Sequence, residues 1–326
     1  MKIAYKHILR SLKEQPDIQE LSKTLFQLGH EHKLEGDTFD MEITPNRGDC
    51  LSLNGILRDL QYFYSADLNS EVYHGHIDNF DFKFDNKSKD FCPKISFLKI
   101  EIKKNISEYK GCLKDYFKDL NLEKKNFFTD VSNYIMYETG QPTHCYDLEK
   151  ITSKLSLIEI NKDTIFKTLL MNSDGKDFKK IKLSGKNHVF MMNDEVINLA
   201  GIVGGETTSC SNKNETTSVL VECAYFCPDS IIGKSVNYDI NSDAAYRFER
   251  GVDISSHDDV LRRFIKIVQE HVEINNISIF TTESHQVKNI KIPVDVIKIN
   301  KILGTEISKE EYLNYINGLG FSVSDD

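Results

Sequence analysis

Two stretches of the chain bring together residue types able to do chemistry. The run from Gly204 to Asp253 holds a Gly-Gly turn, an apolar segment Val219-Leu220-Val221 that leads into Glu222, and a polar loop with Ser242, Asp243 and Ala244. A carboxylate at the inner end of a buried strand is costly without a partner. Glu222 is therefore either ion-paired, with Arg247 or Arg250 as the candidates, or the acceptor for a ligand hydroxyl. The second stretch, Asp130 to Asp147, reads DVSNYIMYETGQPTHCYD and contains Ser132, Asn133 and His144. A lone histidine more often serves packing than catalysis. Cys145 follows it, but nothing nearby plainly lowers the pKa of a thiol, which argues against a cysteine nucleophile.

These residues need a scaffold, and the patterning supplies one. Asp17 is placed to cap a helix with Ile18, Leu21, Leu25 and Leu28 on one stripe, ended by Gly29. Phe39, Met41 and Ile43 alternate as in a half-buried strand, and Asp49 is placed to cap a second helix carrying Leu53, Ile56, Leu57 and Leu60. The segment between, TPNRGD, reads as a turn followed by a cap. Ile95, Phe97, Ile100 and Ile102 predict a strand whose alternation slips once, as at a bulge. A helix with Leu113, Phe117 and Leu120 follows, then a short one from Asp130 through Glu138, broken by Gly140 and Pro142. Strands at Leu155 to Ile160, Thr164 to Leu170 and Val189 to Met192, with a turn at Asp174-Gly175, indicate a mixed sheet. Helices are expected near Pro228 and after Ser256, then a loop from Thr281 to Lys288 and a new unit from Ile292 with Ser308 and Glu311 in capping-box positions.

With 326 residues the chain can form two or three domains. No apolar run is long enough to span a bilayer, and the first residues, MKIAYKHILRSLKEQ, lack a signal-peptide core, so a cytoplasmic location is expected. Seven cysteines without a CxxC pair suggest neither a zinc site nor a disulfide framework. A net charge of -9 argues against broad nonspecific nucleic-acid binding, yet not against a local patch. Lys176, Lys179, Lys180, Lys182 and Lys186 form one cluster, and Lys103, Lys104, Lys110, Lys114 and Lys118 another; such runs are usually solvated faces.

The two chemical stretches, with ITPNRGDCLS at residues 43–52, resemble the beta subunit of bacterial phenylalanine-tRNA ligase. That family carries VTPNRxDCLS, DVTNY followed by GQPxHAFD, and then GGE, LLExAxF and SxASxRxERGVD. Three motifs in one order are more specific than any single pattern, and the resemblance covers nearly the whole chain. It implies an α+β, multi-domain fold: an N-terminal α+β domain over 1–70, a linker or strand over 71–90, a mixed-sheet editing module over 91–280, and the incomplete start of a small domain over 288–326. Two family parts are missing. The oligonucleotide-binding-fold insertion would fall between Gly29 and Phe39, and the C-terminal catalytic-like domain would follow Asp326, so the chain reads as a fragment or a truncated form.

The resemblance also implies a chemistry. An apolar pocket rejects an isostere with an added hydroxyl by only about a hundredfold, so a phenylalanine enzyme needs a second site that hydrolyses mischarged Tyr-tRNA(Phe). By motif, Glu222 is the acceptor for the tyrosine hydroxyl, Ala244 leaves room for the ring, Gly204 lines the pocket, and Ser242 keeps a hydroxyl where the family often has Thr. His144 would orient a water or the terminal ribose, with Ser132 and Asn133 supplying hydrogen bonds. No metal or cofactor is expected in this segment; ATP and magnesium belong to the whole enzyme, a heterotetramer of two alpha and two beta subunits that binds tRNA(Phe). One departure stands out: Glu123 occupies a position where the family commonly has Arg, beside Lys124 and Lys125. Two other readings remain, a noncatalytic RNA-binding or assembly scaffold and a free-standing hydrolase acting in trans.

Overall fold

The structure, a computed structural model, describes every residue except 69, 105, 107, 173–174, 176, 212–214, 285–289 and 325–326. Contacts group the chain into two units, Met1–Ile43 with Leu53–Asn69 and Val287–Asp326, and Thr44–Ser52 with Ser70–Gln286. Both mix helices with sheets, so the architecture is α+β as expected.

The first unit contains β1 (Lys2–Ala4), α1 (Tyr5–Ser11), α2 (Ile18–Gln27), β2 (Glu31–Glu35), β3 (Thr38–Glu42) and α3 (Leu53–Leu60). The Asp17 carboxylate accepts the Gln19 and Glu20 amides at 2.9 Å, which satisfies donors that a helix start leaves open. Leu21 and Leu25 are buried from α2, and Phe39 and Met41 from β3. The antiparallel sheet runs β1-β3-β2. Its strand β2 was not legible: EHKLE is polar, and His32 is its one buried residue. Two further helices, Val296–Leu303 and Lys309–Gly318, belong to this unit, and the second begins with the expected Ser308–Glu311 capping box.

The second unit is built from β4 (Asp78–Asn79), β5 (Phe84–Asn86), β6 (Lys94–Ile102), α4 (Gly111–Asp119), α5 (Phe127–Thr139), β7 (Thr143–Asp147), β8 (Leu155–Ile160), β9 (Thr164–Met171) and β10 (Phe178–Leu183). It continues with β11 (Asn187–Met192), β12 (Glu195–Leu199), β13 (Val203–Gly204), β14 (Ser218–Tyr225), α6 (Pro228–Ile231), α7 (Lys234–Asn237), α8 (Asp243–Phe248), α9 (His257–His271) and β15 (Ile274–Glu283). One five-stranded sheet has the order β4-β15-β6-β14-β7, the other β13-β12-β11-β8-β5, and β9 pairs with β10. The core lies between the two large sheets: Phe97, Tyr146, Leu220 and Ala224 of the first meet Leu157, Phe190, Ile197 and Leu199 of the second. Helices α5 and α9 cover the other face of the first sheet.

That double cover explains the slip in the Ile95 to Ile102 pattern. Phe97 and Leu98 are both buried because β6 is covered on both faces, and the irregularity in its pairing with β15 falls farther along, between Ile274 and Asn276. Strand β15 also continues to Glu283, into the stretch expected to be a loop. Residues 285–288 of that expected loop lie outside the described residues, as do Asp174 of the expected turn and Lys176 of the lysine cluster.

Residues 44–52 pack on the ERGVD segment. Gly48–Cys50 forms a short 3-10 turn, and the Asp49 carboxylate takes the Arg47 guanidinium at 3.1 Å through both oxygens. A Cβ at Gly48 would lie 2.9 Å from the Arg250 carbonyl oxygen, so only glycine admits this contact. Arg247 closes the junction by donating from Nε to the Leu51 carbonyl at 3.1 Å.

Candidate functional site

Strand alternation brings the main candidate residues to one place. Glu222 is the fifth residue of β14, in mid-strand and not at its end, and pairs across the ladder with His144 of β7. Paired residues share a face, and residues two apart on a strand share it too, so His144, Tyr146 and Glu222 all point toward the other sheet. From that sheet, Asn198 of β12 and Gly204 of β13 form a second cross-strand pair. The two pairs meet in the core.

The contacts are specific. Glu222 is 4% exposed, and its partner is neither arginine but the hydroxyl of Tyr146, which donates to Oε2 at 2.6 Å. Asn198 donates from Nδ2 to the same hydroxyl at 2.8 Å. Arg247 is taken up by the Leu51 and Asp243 carbonyls, while Arg250 reaches Glu249 and stacks on the Tyr246 ring at 3.5 Å. Burial pushes the Glu222 carboxyl up to about 7, and the Tyr146 hydrogen bond pulls the other way. Tyr146 is fully buried, and burial beside Glu222 pushes its phenol up.

His144 stands edge-on to Tyr146, with ring centroids 4.4 Å apart at 80°. Its Nε2 is buried without a hydrogen-bond partner, and burial lowers the imidazole to about 4. At neutral pH it is an uncharged ring with an unsatisfied nitrogen, which is the state that can hold a water or a hydroxyl. A Cβ on Gly204 would lie 2.2 Å from His144 Cε1 and 2.8 Å from Leu169 Cδ2. What approaches the glycine so closely is therefore the chain's own histidine.

Ser132 and Ser242 position their neighbours. The Ser132 hydroxyl of α5 lies 2.7 Å from the Thr143 carbonyl and 2.8 Å from its hydroxyl, which fixes β7 one residue before His144. Asn133 follows on α5 and is half-buried. Ser242 caps α8, accepting the Ala245 amide at 3.1 Å and donating to the Ile202 carbonyl at 2.6 Å, and so ties that helix to the turn before Gly204. Ala244 is half-buried and packs against the core. Gln141 of the GQP segment bridges to β14 through the Ala224 carbonyl at 3.0 Å.

Cys145 points to the opposite face, with Sγ 3.5 Å from the Phe128 carbonyl, and burial pushes its thiol well up. That disfavours a thiolate. Several lysines of the two clusters pair with acids: Lys103 with Glu273 at 2.7 Å, Lys179 with Asp239 at 3.0 Å, Lys182 with Asp163 at 2.6 Å and Lys186 with Glu159 at 3.4 Å. Glu123 is exposed, and Lys124 lies over the Tyr109 ring at 4.2 Å.

The sequence reading missed Tyr146 and Asn198. The signal for Tyr146 was its place two residues after His144, on the same strand face. For Asn198 it was an amide inside the apolar run Val196 to Leu199, where an unpartnered polar group is costly.

A family model described as the B3/4 domain matches residues 92–273. The phenylalanine-tRNA ligase beta subunit of Wolbachia sp. subsp. Brugia malayi (strain TRS) is 29% identical over 335 residues, covering 97% of this chain and 41% of that protein. The beta subunit of Fusobacterium nucleatum is 30% identical over 282 residues, covering 84% and 34%. A crystal structure of an N-terminal fragment of the phenylalanyl-tRNA synthetase beta subunit from Pyrococcus horikoshii covers 99% of this chain and 90% of the fragment, at 12% identity and a TM-score of 0.47. The chain thus spans well under half the length of these curated relatives. With more than half of its residues inside the matched domain, the chain belongs to the B3/4-domain family, as a relative of phenylalanine-tRNA ligase beta subunits.

Proposed function

We propose that this chain is the editing part of a phenylalanine-tRNA ligase beta subunit and hydrolyses the ester of mischarged Tyr-tRNA(Phe). The observation that carries the reading is the juxtaposition of His144, its buried Nε2 unpartnered, with Glu222 and Gly204, three motif residues drawn from three strands. In this reading a water held at the neutral His144 attacks the ester carbonyl with no covalent enzyme intermediate, and orientation supplies most of the rate. Ser132 acts through β7 as a positioning residue, Ser242 through α8, and the small Ala244 leaves the way to the site open.

The wider assignment follows the relatives. The chain would work with an alpha subunit that carries aminoacylation, using ATP and magnesium held elsewhere in the assembly, and would bind tRNA(Phe) in the cytoplasm. Among the described residues no helix is long and apolar enough to cross a membrane. A scaffold without hydrolysis is the second reading, and the bond from Tyr146 to Glu222 favours it, because the expected acceptor already has a partner. Incubation with Tyr-tRNA(Phe) separates them. Loss of the ester faster than its spontaneous rate, with or without an alpha subunit, supports hydrolysis; no acceleration under either condition leaves the scaffold.

A further inference from the structure

Resting on the reading of His144 as the residue that handles the ester, we propose that Leu169 gates it: a bulge in β9 sets this side chain beside the imidazole, and the ester reaches His144 only when Leu169 moves aside.

Strands β9 and β10 form a two-stranded sheet of their own, and their pairing is irregular. Met171 opposes Phe178 and Lys167 opposes Lys180, so Thr168, Leu169 and Leu170 together face Lys179 alone. A bulge of this kind re-aims side chains. This one is fixed from within: the buried Thr168 hydroxyl donates to the Lys179 carbonyl at 3.0 Å and accepts the Leu170 amide at 3.2 Å. On its other side β9 bridges from Thr168 to Gly205, which makes Leu169 the antiparallel neighbour of Gly204. The space that a side chain at 204 would fill is shared by His144 and Leu169, with His144 Nε2 at 2.7 Å and Leu169 Cδ2 at 2.8 Å from the Cβ position. Leu169 is thus an apolar neighbour of the buried, unpartnered Nε2. It is half-buried, placed between the buried Phe166 and Thr168 and the exposed Met171, so it can turn outward while the anchoring residues stay in the core. A cover of this sort keeps bulk water from the imidazole until a substrate displaces it.

The test follows the titration of His144 by NMR of its Cε1–H in the wild type, Leu169→Ala, Leu169→Met and Thr168→Val. Burial holds the wild-type imidazole at about 4. Leu169→Ala admits water and should move the titration toward 6.5 by about one pH unit or more. Thr168→Val, which loosens the bulge with Leu169 intact, should move it in the same direction. Leu169→Met refills the space and should titrate like the wild type. His257, buried elsewhere with its own Nε2 unpartnered, reports general loosening and should titrate alike in all four proteins. The proposal is overturned by a folded Leu169→Ala or Thr168→Val protein in which His144 does not move, or in which His257 moves as far. With an alpha subunit present, kcat/KM for Tyr-tRNA(Phe) should rise about threefold or more in Leu169→Ala, and an unchanged value also overturns the gate. Hydrolysis absent from every protein, while the His144 titration moves as expected, keeps Leu169 as the cover and rejects the editing reading instead.

Discussion

At the residue scale, Glu222 and His144 face each other with titrations that run in opposite senses. Burial raises the Glu222 carboxyl from 4.5 to about 7, so between those values the folded protein holds a proton that the unfolded chain has released. Stability therefore falls as pH rises through that window, by about 3 kcal/mol in order of magnitude. Burial lowers His144 from 6.5 to about 4, so there the unfolded chain holds the extra proton and stability falls as pH drops from 6.5 toward 4. The two contributions offset each other in the wild type over about pH 5–6.5, so urea unfolding at a series of pH values should show Glu222→Gln, which keeps only the His144 contribution, losing stability more steeply than the wild type as pH falls through that range. Equal slopes would place the Glu222 titration elsewhere. Gly204→Ala should force the His144 ring aside, at a cost of about 1–3 kcal/mol in unfolding free energy and a fall in ester hydrolysis of about tenfold or more. An unchanged rate would mean that the histidine's seat is not needed. Glu222, His144 and Gly204 lie together because strand alternation is a strict rule. Tyr146 and Asn198 escaped notice because a hydrogen bond between two sheets leaves no periodic trace in either strand.

At the scale of elements, the site depends on α5, whose Ser132 fixes β7. That helix is held to α9 by a buried ion pair: Arg263 donates to Glu138 from Nε at 2.7 Å and from Nη2 at 2.9 Å, and the Tyr134 hydroxyl adds a bond at 2.8 Å. Both partners are under 10% exposed. Removing one leaves an uncompensated charge, so Arg263→Ala should lose about 3–5 kcal/mol in urea unfolding. The double variant with Glu138→Ala should lose less than the sum of the singles; strict additivity would show that the pair does not act as a unit. Most elements were legible where the pattern was strong, as with the Asp17 and Ser308 caps and the stripes of α2 and α9. The polar strand β2 was not, since a short strand gains its place from its neighbours' backbone.

At the scale of the whole molecule, all seven candidate site residues fall within one contact unit, Thr44–Ser52 with Ser70–Gln286. The TPNRGDCLS motif joins that unit through Gly48 and Arg247, a long-range contact that no local pattern announces. The overall charge is -9, and four of the ten clustered lysines, Lys103, Lys179, Lys182 and Lys186, pair with acids. Any tRNA held by this chain should therefore depend on the assembly around it more than on the lysine clusters. The decisive measurement is the single-turnover hydrolysis of Tyr-tRNA(Phe), made with an alpha subunit present, by the wild type and by His144→Ala. A wild-type rate above the spontaneous one that falls by about a hundredfold in the variant, with tRNA retention unchanged, is the expected result. Equal rates in the two proteins would contradict a hydrolytic site at His144.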